Sequence, residues 1–154
     1  ASQPSQRACT WSARRLPILL RMAQSAAYAR IRRDVLAIVA AIPRGRLVTH
    51  AAIGAHLDVM PRHVAYLLAM LEPPERATLP WHRVVGKDGA LGRRAGVDGR
   101  SQAELLAAEG VAMAAGRVDA ASLAARSIAV GDLACDVPAQ VRPPEARAPR
   151  HRRR

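Results

Sequence analysis

The chain has little cysteine: Cys9 and Cys135 stand near opposite ends and form no Cys-x-x-Cys pair. A disulfide framework and a cysteine-rich zinc site are thereby excluded as organising devices, no cofactor or metal is expected, and a reducing cytoplasm fits. Long apolar runs are also lacking. Leu16 to Leu20 is too short to cross a bilayer, contains Pro17 and precedes no convincing cleavage site, so neither an anchor nor a secretory signal is expected. Phenylalanine is absent and lysine occurs once, as Lys87, amid abundant Ala, Arg, Gly and Pro. GC-rich coding produces that usage, so the arginine count alone overstates any binding surface. Acid is scarce too. Twelve Asp+Glu face 24 Lys+Arg, and the net charge of +12 favours a polyanionic partner, nucleic acid before acidic membrane. The charge is uneven: residues 1–25 carry four Arg and no acid, residues 137–154 six Arg and one Glu, leaving +3 for 26–136.

What is present organises one domain of about 100 residues with tails, large enough to bury a core without disulfides. Ile31, Val35, Ile38, Val39 and Ile42 recur at helical spacing, with Ser25 upstream as a cap and Pro43 as the stop. Nothing before Ser25 is periodic, and Met22 is a candidate start with residues 1–21 as upstream sequence. Leu47-Val48 reads as a short extended piece. Thr49 caps a helix through Ile53 to Leu57, Asp58-Val59-Met60 breaks it, and Pro61 opens a second helix carrying Val64, Leu67, Leu68 and Leu71 up to Glu72-Pro73-Pro74. Two short helices around a three-residue break make a helix-turn-helix candidate. A polar loop follows, then Leu79 to Val85, a tight reversal at Asp88-Gly89 and Ala90-Leu91, read together as a wing-like hairpin. Ser101 and Glu104 form a capping box ahead of Leu105-Leu106, Gly110 stops that helix, and a segment near Val111 to Val118 closes the domain. The expected fold is mainly α, a winged helix-turn-helix-like DNA-binding domain with a small β-hairpin. Its divisions are an N-terminal extension (1–25), the domain (26–119), a C-terminal extension (120–136) and a disordered Arg/Pro-rich tail (137–154).

Ile42-Pro43-Arg44-Gly45-Arg46-Leu47-Val48-Thr49, the helix pair, Leu79-Pro80-Trp81-His82-Arg83-Val84-Val85, the Gly89 turn and Leu105-Leu106-Ala107-Ala108-Glu109-Gly110 come in an order specific to one family. Over residues 27–119 the chain resembles the DNA-binding domain of O6-alkylguanine-DNA alkyltransferases. Those enzymes carry Pro-Cys-His-Arg, whose cysteine takes the alkyl group; Pro80-Trp81-His82-Arg83 is similar to the tetrad of the alkyltransferase-like proteins, which have Trp there. Taking a methyl from an ether oxygen needs a strong nucleophile such as an activated thiolate, and an indole is none. A pocket that holds a flipped guanine by stacking and charge stays within its reach.

The resemblance implies the site. Trp81, Arg94, Val84 and His82 are expected to line a lesion pocket, with Arg94, rivalled by Arg93, laying its cation against the base. Arg62, near the start of the second helix, is expected to enter the minor groove and fill the gap left by the flipped base. His50 stands where the family has a tyrosine that presses on a phosphate; Thr49 and Arg83 complete the expected DNA contacts. His82 and Glu109 match a relay that activates the missing cysteine and are read as a hydrogen-bonded prop. Asp58 at a turn where glycine is usual, Ala65 for a small glycine, and an absent asparagine ahead of the tetrad imply slightly different docking.

The implied function is non-enzymatic recognition of O6-alkylguanine in double-stranded DNA by a monomer, handing the lesion to nucleotide excision repair proteins, with no membrane partner. Two rivals stand. A winged helix-turn-helix regulator would read base edges in the major groove, for which Arg62, His63 and Tyr66 followed by Leu67-Leu68-Ala69-Met70-Leu71 is poor material. A residual alkyltransferase would have to use Cys135, which has no histidine nearby in sequence. Mass spectrometry after incubation with O6-methylguanine DNA is expected to show no added methyl; a gain of about 14 Da on Cys135 (a CH3 in place of the thiol hydrogen, as any thiol methylation gives) would restore the enzyme reading.

Overall fold

The computed structural model describes residues 25–140. The expected N-terminal extension, apart from Ser25, and most of the Arg/Pro-rich tail lie outside the described residues, as do Met22 and Cys9.

Helix α1 (Ala26–Ala40) starts where Ser25 accepts a hydrogen bond from the Tyr28 amide, and it buries Val35, Ile38 and Val39. After the Pro43–Arg46 turn, β1 (Val48–Thr49) leads into α2 (His50–Leu57), whose first turn is capped by the Thr49 hydroxyl accepting from the Ala52 N–H at 3.1 Å. Helix α3 (Pro61–Ala69) follows with proline at its first position, where a missing N–H costs nothing. Asp58 takes the left-handed conformation (φ 52°) between them. Aspartate tolerates that region better than most residues, so the turn survives without its usual glycine. The glycine that matters is Gly54, where a Cβ would fall 2.6 Å from the Val59 carbonyl oxygen.

Two expectations need correction. The second helix stops at Ala69, and the supposed polar loop after it is a short helix, α4 (Pro73–Thr78). Glu72 and Glu75 cap it reciprocally, its two prolines sit where helices accept them, and Arg32 of α1 holds Glu75 with both carboxylate oxygens. The wing-like hairpin over 79–91 is also absent. Trp81–Arg83 make a 3-10 turn, and β2 (Val84–Val85) pairs in parallel with β1, Val48 opposite Val84 and Thr49 opposite Val85. Asp88 and Gly89 do reverse the chain, with φ of 57° and 76°, but the Gly86 N–H donates to the Ala90 carbonyl at 2.7 Å and no second strand forms. The domain's hairpin lies further on, where β3 (Met113–Ala114) pairs antiparallel with β4 (Arg117–Val118) around Ala115-Gly116, both at positive φ. Helix α5 (Gln102–Ala108), with its Ser101–Glu104 capping box and Gly110 at φ 79°, precedes it.

The β1–β2 pair divides two cores. Successive residues of a strand face opposite ways, so Val48 and Val84 join α1, α2, α3 and Trp81, while Leu47 and Val85 join Leu106, Val111 and Val118. The chain beyond the hairpin packs onto both. Helix α6 (Ala120–Arg126) sets Leu123 against the smaller core, Val130 and Leu133 enter the larger one, and Leu47 exchanges backbone hydrogen bonds with Arg126 and Ile128.

Gly54→Ala is expected to lose roughly 1–3 kcal/mol of stability, because the added methyl meets rigid backbone where α2 turns into α3. A urea midpoint equal to the parent's would show that the helix pair can spread without cost.

Candidate nucleic-acid site

Within the tetrad the side chains divide. Trp81 enters the larger core and keeps only 8 % exposure, so little of the residue reaches the surface. The His82 ring stands edge-on to it, centroids 6.1 Å apart and planes at 89°. His82 and Arg83 turn instead to Glu109. The His82 Nε2 lies 2.9 Å from Oε1; Arg83 donates from Nε at 3.0 and 3.1 Å and from Nη2 at 2.7 Å; the Gly45 N–H reaches Oε2 at 2.8 Å. An ionised carboxylate only accepts, so His82 carries its proton on Nε2. Glu109 also sits at the C-cap of α5, the end of a helix that disfavours an anion. Burial pushes its carboxyl pKa up, but the hydrogen bonds from Arg83, His82 and Gly45 outweigh burial and hold it at about 2.

Arg83, expected among the DNA contacts, is thus turned inward, its Nη1 donating to the Ile42 carbonyl at 2.6 Å. Val84 is fully packed in β2. Thr49 caps α2, and His50, the first residue of that helix, is partly buried. Burial lowers the His50 pKa below its ordinary 6.5, so the imidazole is largely neutral at pH 7, a hydrogen-bonding group and not a charge. Arg62 is exposed on the first turn of α3, and Tyr66 of that helix and Met70 at its C-cap are about half exposed.

Arg93 and Arg94 are exposed in the loop between the Gly89 reversal and α5. What ties that loop to the tetrad is Gln102, a buried polar side chain with 4 % exposure. Its Nε2 donates to the carbonyls of His82 (3.0 Å) and Val84 (2.8 Å), and its Oε1 accepts from the Gly92 N–H at 2.7 Å. Every hydrogen-bonding direction it uses is filled by backbone, which makes Gln102 a fixed link between Trp81's segment and the residue just before Arg93. The open groove between α1 and residues 134–140, which includes Cys135, involves none of these residues.

Comparison with known proteins fits this geometry to a family. The profile described as 6-O-methylguanine DNA methyltransferase, DNA binding domain, matches residues 30–111, more than half of the chain. The chain belongs to that family. Its Pro80-Trp81-His82-Arg83 segment puts it with the alkyltransferase-like members. It is 40% identical over 84 residues to the DNA base-flipping proteins of Escherichia coli (strain K12) and Shigella flexneri, an alignment covering 53% of this chain. The chain spans 64% of those relatives' own length. Among solved structures, S. pombe Atl1 in complex with damaged DNA containing O6-carboxymethylguanine is similar at 27% identity and a TM-score of 0.48, covering 56% of this chain and 81% of Atl1.

The 6-O-methylguanine DNA methyltransferase match ends at Val111, yet Arg126 lies beyond it and braces the site: its guanidinium donates to the carbonyls of Gly45 (3.1 Å) and Gly110 (2.7 Å), on either side of Glu109's contacts. Neither Arg126 nor Gln102 emerges from sequence reasoning. Both act on backbone carbonyls, which leave no pattern in side-chain identity; the only trace of Gln102 is its place beside a strong capping box.

Because Glu109's pKa falls from 4.5 to about 2 on folding, the stability it supplies is complete above pH 4.5 and is lost as pH drops toward 2. The group accounts for roughly 3 kcal/mol of that acid loss. Glu109→Gln is expected to be less stable than the parent at pH 7 by a similar amount, the gap closing by pH 2 in urea titrations. A gap that stays constant with pH would mean the ionised carboxylate is not what holds the site.

Proposed function

We propose that this protein reads O6-alkylguanine in duplex DNA without repairing it. The observation that carries the reading is Trp81 in the place of a reactive thiol, directly before His82 and Arg83, whose network with Glu109 and Gly45 is intact. A histidine and carboxylate that would activate a thiolate have nothing to activate, and Cys135 lies by the α1 groove among other residues. The name of the relatives in Escherichia coli and Shigella flexneri, DNA base-flipping protein, supports the same chemistry for this chain.

In this reading α3, the second helix of the pair, enters the minor groove, Arg62 occupies the space of the extruded guanine, and His50 and Thr49 contact the phosphate backbone. The flipped base lies against the Trp81 segment, with Arg94 over its face. Arg83 supports the tetrad from within. Residues 26–119 are the DNA-binding unit and 120–136 an extension of it; the protein acts as a monomer beside the chromosome in the cytoplasm. A protein that only holds a lesion leaves its removal to others, and nucleotide excision repair is the recipient this implies. Among the described residues no helix is long and apolar enough to cross a membrane.

The test is fluorescence anisotropy at fixed salt with two duplexes differing by a single O6-methylguanine, since a +12 chain binds any DNA to some extent. The parent is expected to prefer the lesion clearly. Arg94→Ala should cut that preference about fivefold, the equivalent of about 1 kcal/mol for a cation on a desolvated ring. Arg62→Ala should weaken lesion binding further, because the gap in the helix is left unfilled. Equal affinity of the parent for both duplexes would overturn the reading in favour of a winged helix-turn-helix regulator.

A further inference from the structure

Helix α4, which looks like loop in the sequence, carries Arg76 into contact with two separate parts of the proposed DNA face. Its Nη2 donates to the carbonyls of Ala69 (3.3 Å) and Leu71 (3.0 Å), the last residue of α3 and the second beyond it. Its Nη1 donates to the carbonyl of Ala95 at 3.3 Å, the residue that follows Arg94. The anchor is itself fixed, because Glu75, the neighbouring residue, is gripped by Arg32 of α1. The loop beyond is also closed on itself. Ala95 bridges Ser101, and the Gly96 N–H donates to the Arg100 carbonyl at 2.8 Å.

A guanidinium is planar and rigid, and its forked donors hold several acceptors in one geometry where an ammonium holds them as a point charge. The carbonyls at the end of α3 have no partners within the helix and favour a cation, so Arg76 is drawn to them whether or not the loop is present. Its remaining nitrogen then fixes the loop relative to that helix end.

We infer that Arg76 is a positioning residue which couples α3 to the Arg93–Arg94 loop, so that the loop takes its place over the flipped base only when α3 is seated. The effect on lesion recognition rests on the proposed role of Arg94. The coupling itself does not, since it is a property of the free protein. Gln102 fixes the loop at Gly92 and Arg76 fixes it at Ala95, and Arg93 and Arg94 are held between these two points.

Arg76→Lys keeps the charge and removes the fork. In the free full-length protein it is expected to speed amide exchange at Gly96 and Gly99 about tenfold, leaving Gly92 and the α1 amides Ile38 and Val39 unchanged. On DNA it should bind the undamaged duplex as the parent does while the preference for O6-methylguanine drops about threefold, and adding Arg94→Ala should lower it no further than Arg94→Ala alone. Unchanged exchange in the loop would overturn the coupling. So would an equal loss of affinity for both duplexes, which would make Arg76 a phosphate contact, or full additivity with Arg94→Ala. If the loop loosens in Arg76→Lys yet Arg94→Ala retains the parental preference, the coupling stands and the assignment of Arg94 to the lesion fails.

Discussion

A carboxylate placed at the wrong end of a helix governs the centre of this molecule. Glu109 caps the C-terminus of α5, where the helix dipole and partial burial both oppose a negative charge, and it is kept ionised by donors from Gly45, His82 and Arg83. Those donors come from two chain segments more than thirty residues apart in sequence. The Pro43–Arg46 turn, the tetrad and the end of α5 therefore hold one another, and none can shift without leaving a charge unpaired. Losing one partner of such a group costs more than the pair contributes, because the remaining charge stays buried. In a relative with cysteine at position 81 the same arrangement would tune a thiol. With tryptophan there, its work is to keep the backbone of residues 81–85 in one place.

That fixed backbone also serves as a wall. The β1–β2 pair is only two residues deep, but its alternating side chains belong to different cores, so the tetrad's continuation is packed from both sides. Trp81 is itself part of the larger core, where its indole contributes apolar area. Gln102 and Arg76 extend the rigid region outward into a loop whose own sequence, rich in Gly and Arg, has almost nothing to bury. The proposed contact with DNA is thus presented by exposed arginines on a frame that is held by buried polar bonds.

The helices were legible in the sequence wherever a cap announced them. Ser25, Thr49, Pro61, Ser101 with Glu104, and Gly110 all stand at the ends that local chemistry assigns them. The failures share a cause. Asp88-Gly89 is a strong reversal signal and Ala115-Gly116 a weak one, yet the hairpin forms at the second, because Val84 and Val85 are buried on both faces and pair with the distant Val48-Thr49. Prolines at 73 and 74 suggested loop until the cap at Glu72 and the ion pair from Arg32 made them the start of a helix. For the site, the tetrad and Glu109 were visible through family resemblance, whereas the inward turn of Arg83 depends on where Glu109 and the Ile42 carbonyl lie in space. Long-range partners decide these cases, and a local reading has no access to them.

The pairing of Leu47 with Ser127 bears on how the chain matures during synthesis. The edge of the extended segment at Leu47 emerges from the ribosome some eighty residues before Ser127, whose backbone covers it. Until then it presents open backbone groups, the kind of edge on which nascent chains associate wrongly. At a synthesis rate of roughly 5–20 residues per second the exposure lasts several seconds, long compared with helix formation. A message truncated after the family's matched region would therefore yield a chain that has every proposed DNA-contacting residue and a permanently unsealed edge.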